Sequence, residues 1–378
     1  MDTIDLAAYR VNPVRGFLPA EDPLERLPAD FDAWERIAPD VPALLMTGRL
    51  RPALEALPLL NVEPLQDEMQ LERAMLLLSV FGNAYVWAGP EPARTMPRAV
   101  AVPWCRLAER LGRPPIAAHP STVLFNWRRV DKTGPIELDN LATLQLFLGG
   151  MDEQWFYLTA VVIEAKGAPA LGALVTAQQA VAGGRADDLA ARLETIASAL
   201  ARVYEVLERI PEKCDPYIFY HRVRPYQTGW PEPGVIYEGV SEAPRMCTGG
   251  SAAQSPLIQA LDAGLGIKHR GSETSPFLME MRSYMVTGHR RFIEALESGP
   301  SVRQFVLDRA AQCPGLVDRY NACIRELDRF RKKHMELAVR YISHQAPNPD
   351  EAKGTGGTHF VSFLSKARKE TEEHTIRE

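Results

Sequence analysis

Residues 316–344 read LVDRYNACIRELDRFRKKHMELAVRYISH. Leu316, Tyr320, Cys323, Leu327, Phe330, Leu337 and Tyr341 fall on a helical period, with His334 between Phe330 and Leu337. That spacing puts them on one face of an α-helix. An imidazole in a core-facing stripe needs a hydrogen-bond partner or a bound group, because leaving it buried and unsatisfied costs about 1–3 kcal/mol. Spacing alone leaves two readings open: a core histidine held by a backbone carbonyl, or a ligand to a metal or cofactor. Arg331, one turn earlier, can pair with a helix-surface carboxylate or with an anionic group on whatever His334 holds.

Outward from this helix, the chain is 378 residues long, 46% hydrophobic and 24% charged, with a net charge of −5. That is the balance of a soluble globular protein with room for two domains or one large one. It has no Lys/Arg cluster of the size that nucleic acid or an anionic membrane would require, so neither is expected as a partner. The longest near-apolar run, Trp155 to Ile163, is too short to cross a bilayer. The opening MDTIDLAAYR has no charged-then-apolar signal pattern, and a cytoplasmic protein is expected. Five scattered cysteines form no CxxC pair, which removes zinc fingers, a disulfide framework and covalent haem attachment through CxxCH.

Prolines punctuate residues 1–60 into short helices and turns. Helices are expected at 69–88 and 104–111, either a strand or a helix at 121–130, and a further helical run at 140–147. Gly149-Gly150 breaks the pattern and marks the expected domain boundary. Beyond it, 154–164 is apolar nearly all round, as a helix buried on every side should be. Residues 170–182, 187–210, 255–267, 280–296, 302–310, 316–344 and 359–369 complete a helical series. The expected fold class is mainly α: a small, mostly helical N-terminal domain over 1–149 and a large all-helical domain over 150–378, with a Gly-rich loop at 345–358.

Three other stretches can carry chemistry. PYIFYHRVRPYQTGW (216–230) crowds aromatic rings and guanidiniums together. It is either a surface segment with stacked arginines or a pocket wall that sandwiches a flat guest and takes a carboxylate through Arg. TGGSAAQS (248–255) is a tight turn with Ser251 as a helix cap, or a place where backbone approaches something flat; its spacing fits no nucleotide fingerprint. GTGGT (354–358) is a hinge or a lid over substrate. His334-Met335-Glu336 is the sole His-x-acid spacing, and residues two apart on a helix do not share a face.

Four segments together are familiar: GGSAAQSPLIQALDAGLGI, MRSYMVTGHRRFIEALESGPSVRQFV, the helix around His334, and AKGTGGTHFVSFLSKAR. In this order and at these separations the chain resembles the indoleamine 2,3-dioxygenase family, closely over about 115–378 and loosely before that, and is identified as a bacterial-type member. The resemblance implies a large helical domain holding non-covalent haem b. It also implies a reaction that inserts both atoms of O2 across the indole C2–C3 bond of L-tryptophan or a related indoleamine, giving N-formylkynurenine, the first step of the kynurenine pathway. It implies that His334 is the iron ligand, that Arg331 stands at a haem propionate, and that Asp262 pairs with it. Phe219 and Arg224 would be the distal aromatic and the arginine taking the substrate carboxylate. Phe156 would lie against the indole, Ser251 and Ala252 over the haem face, and Thr355 on the loop that closes over substrate. The partners implied are an indole and O2. The cofactor carries the hard chemistry and the protein binds and orients, which fits a pocket of aromatics and small residues without an acid–base dyad.

The chain departs from the pattern at Ala160, where vertebrate members have serine and the tryptophan dioxygenases histidine. It departs also at Tyr157 and Tyr220, where many members have phenylalanine, and at His119, where some have tyrosine. Two alternatives stand beside the dioxygenase reading: a haem protein with other indole oxidation chemistry, and a non-enzymatic helical protein that binds an indole.

Overall fold

Asp67 starts the first long helix, its carboxylate accepting the backbone N–H groups of Met69 at 2.9 Å and Gln70 at 3.2 Å. Such a cap satisfies donors that the helix itself leaves open. In the computed structural model, residues 4–270, 274–348, 353–357 and 359–377 are described. Three short helices precede that cap, α1 (Asp32–Ile37), α2 (Val41–Met46) and α3 (Leu50–Glu55), as the prolines lead one to expect. Then come α4 (Glu68–Trp87) and α5 (Arg98–Leu111). They approach so closely that a Cβ on Gly82 would stand 1.9 Å from the Trp104 ring.

The expected helical run at 140–147 is not one. Leu141–Thr143 is a strand, β3, paired antiparallel with β2 (Trp127–Arg129); the remaining strands, β1 (Thr95–Met96) and β4 (Ile236–Tyr237), pair in parallel. The Asn126 side chain explains the correction. It accepts from Gln145 N at 2.8 Å and donates to Gln145 O at 2.9 Å, occupying backbone groups that a helix would use. The stretch 121–130 contains both readings left open for it, a π-helical turn at Pro120–Leu124 and then β2.

The two apolar runs after Gly150 are one helix, α6 (Met151–Ala182). Its 32 residues span about 48 Å, and Pro169 removes one backbone donor without ending it. Among the described residues it is the one helix long and apolar enough to cross a membrane, a length the sequence reading did not anticipate, but 67% of its most apolar window is buried inside the protein. Its composition serves the core. α7 (Ala186–Glu208) lies along α6, and α13 (Pro314–Ala338) lies along α7. The short α8 (Pro216–Ile218) continues into a π-helical turn at Phe219–Val223 and a 3-10 turn at Arg224–Gln227.

α9 (Pro256–Leu265) packs on α6 through two glycines: a Cβ on Gly167 would lie 2.5 Å from Leu257, and one on Gly264 would lie 2.5 Å from Leu174. The expected helix at 280–296 is broken into α10 (Thr274–Arg282) and α11 (Thr287–Ser298); α12 (Val302–Asp308) and α14 (Phe360–Glu372) complete the order. Every apolar member of the opening stripe, from Leu316 to Tyr341, is buried. α13 ends at Ala338, however, and passes into a π-helical turn at Val339–Ser343.

The hydrophobic cluster of residues 27–118 also takes in Trp230, Val235, Tyr237, Cys247, Met281 and Tyr284. The division at Gly149–Gly150 therefore remains a proposal about chain order, and packing crosses it.

Candidate functional site

Each of the three π-helical turns among the described residues brings a side chain to one cavity: Thr122 and Val123 from the first, Phe219 from the second, Tyr341 and Ile342 from the third. A π-turn inserts an extra residue into a helix and re-aims the side chains after it, and such turns gather at functional sites. The cavity has a volume of about 340 Å³. It is lined by all nine residues singled out in the sequence, Phe156, Phe219, Arg224, Ser251, Ala252, Asp262, Arg331, His334 and Thr355.

On one side α13 presents His334, with the Phe330 ring roughly parallel to it at 6.3 Å between centroids. Burial, aided by the Arg331 charge, pulls the imidazole pKa down to about 4. It is therefore neutral near pH 7, the form in which a ring nitrogen lone pair can bind a metal. Among the described residues no hydrogen bond meets this ring, so the core-histidine reading lacks the carbonyl it needs.

Beside it, Arg331 Nη2 lies 2.6 Å from Asp262 Oδ2, and Arg331 also donates to the Thr371 hydroxyl on α14. His269 joins the pair, with Nε2 3.1 Å from Asp262 Oδ2 and Nδ1 2.8 Å from Glu370 Oε2. Burial opposes the charged form of both residues. Even so, Arg331 and His269 hold the Asp262 carboxyl below its usual range, while Asp262 and Glu370 hold His269 above its own. Among the described residues Asp262 Oδ1 has no partner. Chain spacing could not reveal His269: Gly266, at φ 76°, turns the chain back after α9 and returns the residue to Asp262.

Elsewhere in the lining the Phe156 and Phe219 rings meet at 4.6 Å, and Tyr341 stands edge-on to Phe219 at 5.8 Å. Ser251 is a cap, though of the short turn Ala252–Gln254; Ser255 caps α9. The glycines before Ser251 allow two backbones to cross. Gly250 N donates to Gln227 O at 2.9 Å, and a Cβ on Gly249 would lie 2.3 Å from the same oxygen.

Arg224 stacks its guanidinium over Tyr220 at 5.2 Å and donates to Lys353 O. Thr355 donates its hydroxyl to Gly250 O. Arg224 and Gly354–Gly356 line both the cavity and an outer vestibule of about 730 Å³, so they stand between the two. Of the Gly-rich loop 345–358, residues 349–352 and 358 lie outside the described residues.

Sequence reasoning also missed a buried polar cluster on α6 and its surroundings. Glu164 Oε1 lies 2.9 Å from His119 Nε2 and accepts the Ser255 hydroxyl at 2.6 Å, while among the described residues Oε2 has no partner.

Among the described residues no group of three or more His, Cys, Asp or Glu side chains could hold a bare metal ion. A single neutral imidazole suits an iron whose other ligands come from a macrocycle. The Arg331 cation beside that imidazole, steadied by Asp262, fits an anionic edge of such a group.

A mainly helical body whose cavity combines one unpartnered histidine with a cluster of aromatic rings has the form of a haem enzyme acting on a flat apolar molecule. The family model described as Indoleamine 2,3-dioxygenase matches residues 5–374. The chain is 37% identical over 372 residues to indoleamine 2,3-dioxygenase 1 of Mus musculus, covering 93% of this chain and 91% of that protein. It is 34% identical over 394 residues to indoleamine 2,3-dioxygenase 2 of Homo sapiens, covering 99% and 96%. With the indoleamine 2,3-dioxygenase of Saccharomyces cerevisiae it shares 32% over 420 residues, covering 97% and 92%.

The chain belongs to the indoleamine 2,3-dioxygenase family. It is a haem-dependent dioxygenase, and the non-enzymatic alternative falls away. The first hundred residues match as well, which the sequence reading had only loosely. These relatives are animal and fungal and give the bacterial-type label no support.

Proposed function

We propose that this enzyme cleaves the indole C2–C3 bond of L-tryptophan, or of a closely related indoleamine, with O2 to give N-formylkynurenine. The observation that carries the reading is convergence: nine residues scattered from 156 to 355 along the chain line one cavity. The cofactor is haem b, held without covalent attachment, and it supplies the binding of O2 and its activation toward the indole.

The chain's own residues do the rest. His334 would hold the iron, and Arg331, fixed by Asp262, would hold an anionic propionate of the cofactor. Phe156 and Phe219 grip the indole plane and keep bulk water out, which holds two reactants in contact in place of a chance encounter. Arg224 takes the amino-acid carboxylate, a charge-assisted bond of the strong kind. Ser251 and Ala252 are small enough to let substrate lie over the cofactor face, and Thr355 ties the Gly-rich loop to Gly250 across the mouth. Five free thiols suit a reducing compartment, and a cytoplasmic location is part of the reading. The test is a turnover assay of haem-loaded protein with L-tryptophan under reducing conditions. Appearance of N-formylkynurenine supports the reading, and failure to cleave L-tryptophan or any related indoleamine at full haem occupancy rejects it.

A further inference from the structure

Among the polar side chains that line the cavity and not the vestibule are four: His119, Thr122, Tyr157 and Gln227. Two are engaged within the protein. His119 Nε2 lies 2.9 Å from the Glu164 carboxylate, and the Thr122 hydroxyl donates to Ala118 O at 3.1 Å. The other two are not. The Gln227 amide lies beside the Tyr157 hydroxyl without meeting it in hydrogen-bond geometry, and among the described residues neither Tyr157 Oη nor Gln227 Nε2 has a partner.

Tyr157 is 2% exposed and Gln227 8% exposed, so solvent does not satisfy them. A buried polar atom left unpaired costs about 1–3 kcal/mol, and two side by side on a cavity wall call for a ligand group that meets them. Burial, with the Glu153 carboxylate nearby, holds the Tyr157 pKa well above its usual value, so the hydroxyl remains a neutral donor and acceptor at any working pH. Gln227 Nε2 adds a second donor. Ala160, one turn along α6 from Tyr157, contributes only a methyl group.

The polar pair belongs to one end of the bound molecule. Arg224 stands at the mouth, lining both cavity and vestibule, whereas Tyr157 and Gln227 line the inner cavity alone. A tryptophan-like substrate whose carboxylate is at Arg224 points its six-membered ring away from the mouth.

We infer that Tyr157 and Gln227 are specificity-determining residues that receive a hydroxyl group on the six-membered ring of the indole, so that ring-hydroxylated tryptophans are favoured over the parent. This inference rests on the proposed indole dioxygenase reading of the same cavity. The hydroxyl accepts from Gln227 Nε2 and shares a hydrogen bond with Tyr157 Oη, and neither bond is available to an unsubstituted ring. A pocket built to pair a substrate hydroxyl discriminates against the analogue that lacks it, because its own polar groups are then left unpaired.

The experiment uses haem-loaded protein and the four L-tryptophans hydroxylated singly at ring positions 4 to 7, with L-tryptophan as reference. Both kcat/KM and, under anaerobic conditions, the equilibrium dissociation constant are measured for the wild type, Tyr157→Phe and Gln227→Met. For at least one ring position, the hydroxylated substrate is expected to exceed L-tryptophan in wild type. Each substitution should then lower that kcat/KM ratio tenfold or more, with a matching shift in the ratio of dissociation constants. Ratios within twofold of wild type at all four positions in both variants would overturn the inference. Should L-tryptophan still be converted to N-formylkynurenine in that case, the functional reading survives alone; if haem-loaded protein converts no indole, both fall.

Discussion

Half-buried Arg224 and fully buried His289 show how differently two basic side chains serve this fold. Arg224 borders both cavity and vestibule, and burial lowers its pKa without a carboxylate partner among the described residues. A cation so placed is available to a substrate carboxylate. Hydrogen bonds to charged groups contribute about 1.5–3 kcal/mol, so Arg224→Ala should raise the KM for L-tryptophan by roughly ten- to hundredfold, with haem content unchanged. Steady-state kinetics beside an absorption measurement of haem checks this.

His289 has the opposite setting. Its Nε2 lies 3.1 Å from Arg10 O, its ring rests against Phe17, and burial pulls its pKa down to about 3. The native state therefore binds fewer protons than the unfolded chain between that value and the ordinary histidine pKa, so stability rises with pH through this window and falls on acidification. By pH 5 the loss from this one group is about 2 kcal/mol. Denaturant titrations at pH 7.5, 6 and 5 should show the wild type losing its stability advantage over His289→Gln by that amount. A constant difference across the series would contradict the assignment.

Element boundaries separate what the sequence disclosed from what it hid. The α13 stripe was legible because its apolar period is long and its burial follows directly. The strand at Leu141–Thr143 was not, because the side chain that imposes it, Asn126, is remote in the chain and acts through Gln145. The join of α6 across Pro169 was hidden for a similar reason: packing on α7 and α9 overrides a local breaker. The π-turns leave no mark in hydrophobic period at all, though they aim Phe219 and Tyr341 inward.

Two predictions belong to this scale. Gly82→Ala places a Cβ against the rigid, fully buried Trp104 ring between α4 and α5, an overpacking of the kind that costs about 1–3 kcal/mol. The denaturation midpoint should fall accordingly, with no change in haem binding. Thr355→Ala removes the hydroxyl that ties the Gly-rich loop to Gly250. At equal haem occupancy its turnover should be several-fold slower, and an unchanged rate would take the loop out of the proposed function.

At the scale of the whole molecule, α6, α9 and α13 supply three walls of one cavity, and α14 closes on α13 through Thr371 and through Glu370 by way of His269. The candidate site was nameable in advance only through the resemblance. Spacing singled out His334 but left its role undecided, and it was silent on His269, Glu164 and Gln227, whose significance depends on neighbours far away in the chain. The central claim is that His334 holds the iron inside this cavity. Absorption spectra recorded while haem is titrated into cofactor-free wild type and His334→Ala, at equal folded fraction, test it most directly. The account predicts a saturating Soret band in the wild type and no stoichiometric binding in His334→Ala; an identical titration and spectrum for the two proteins would contradict it.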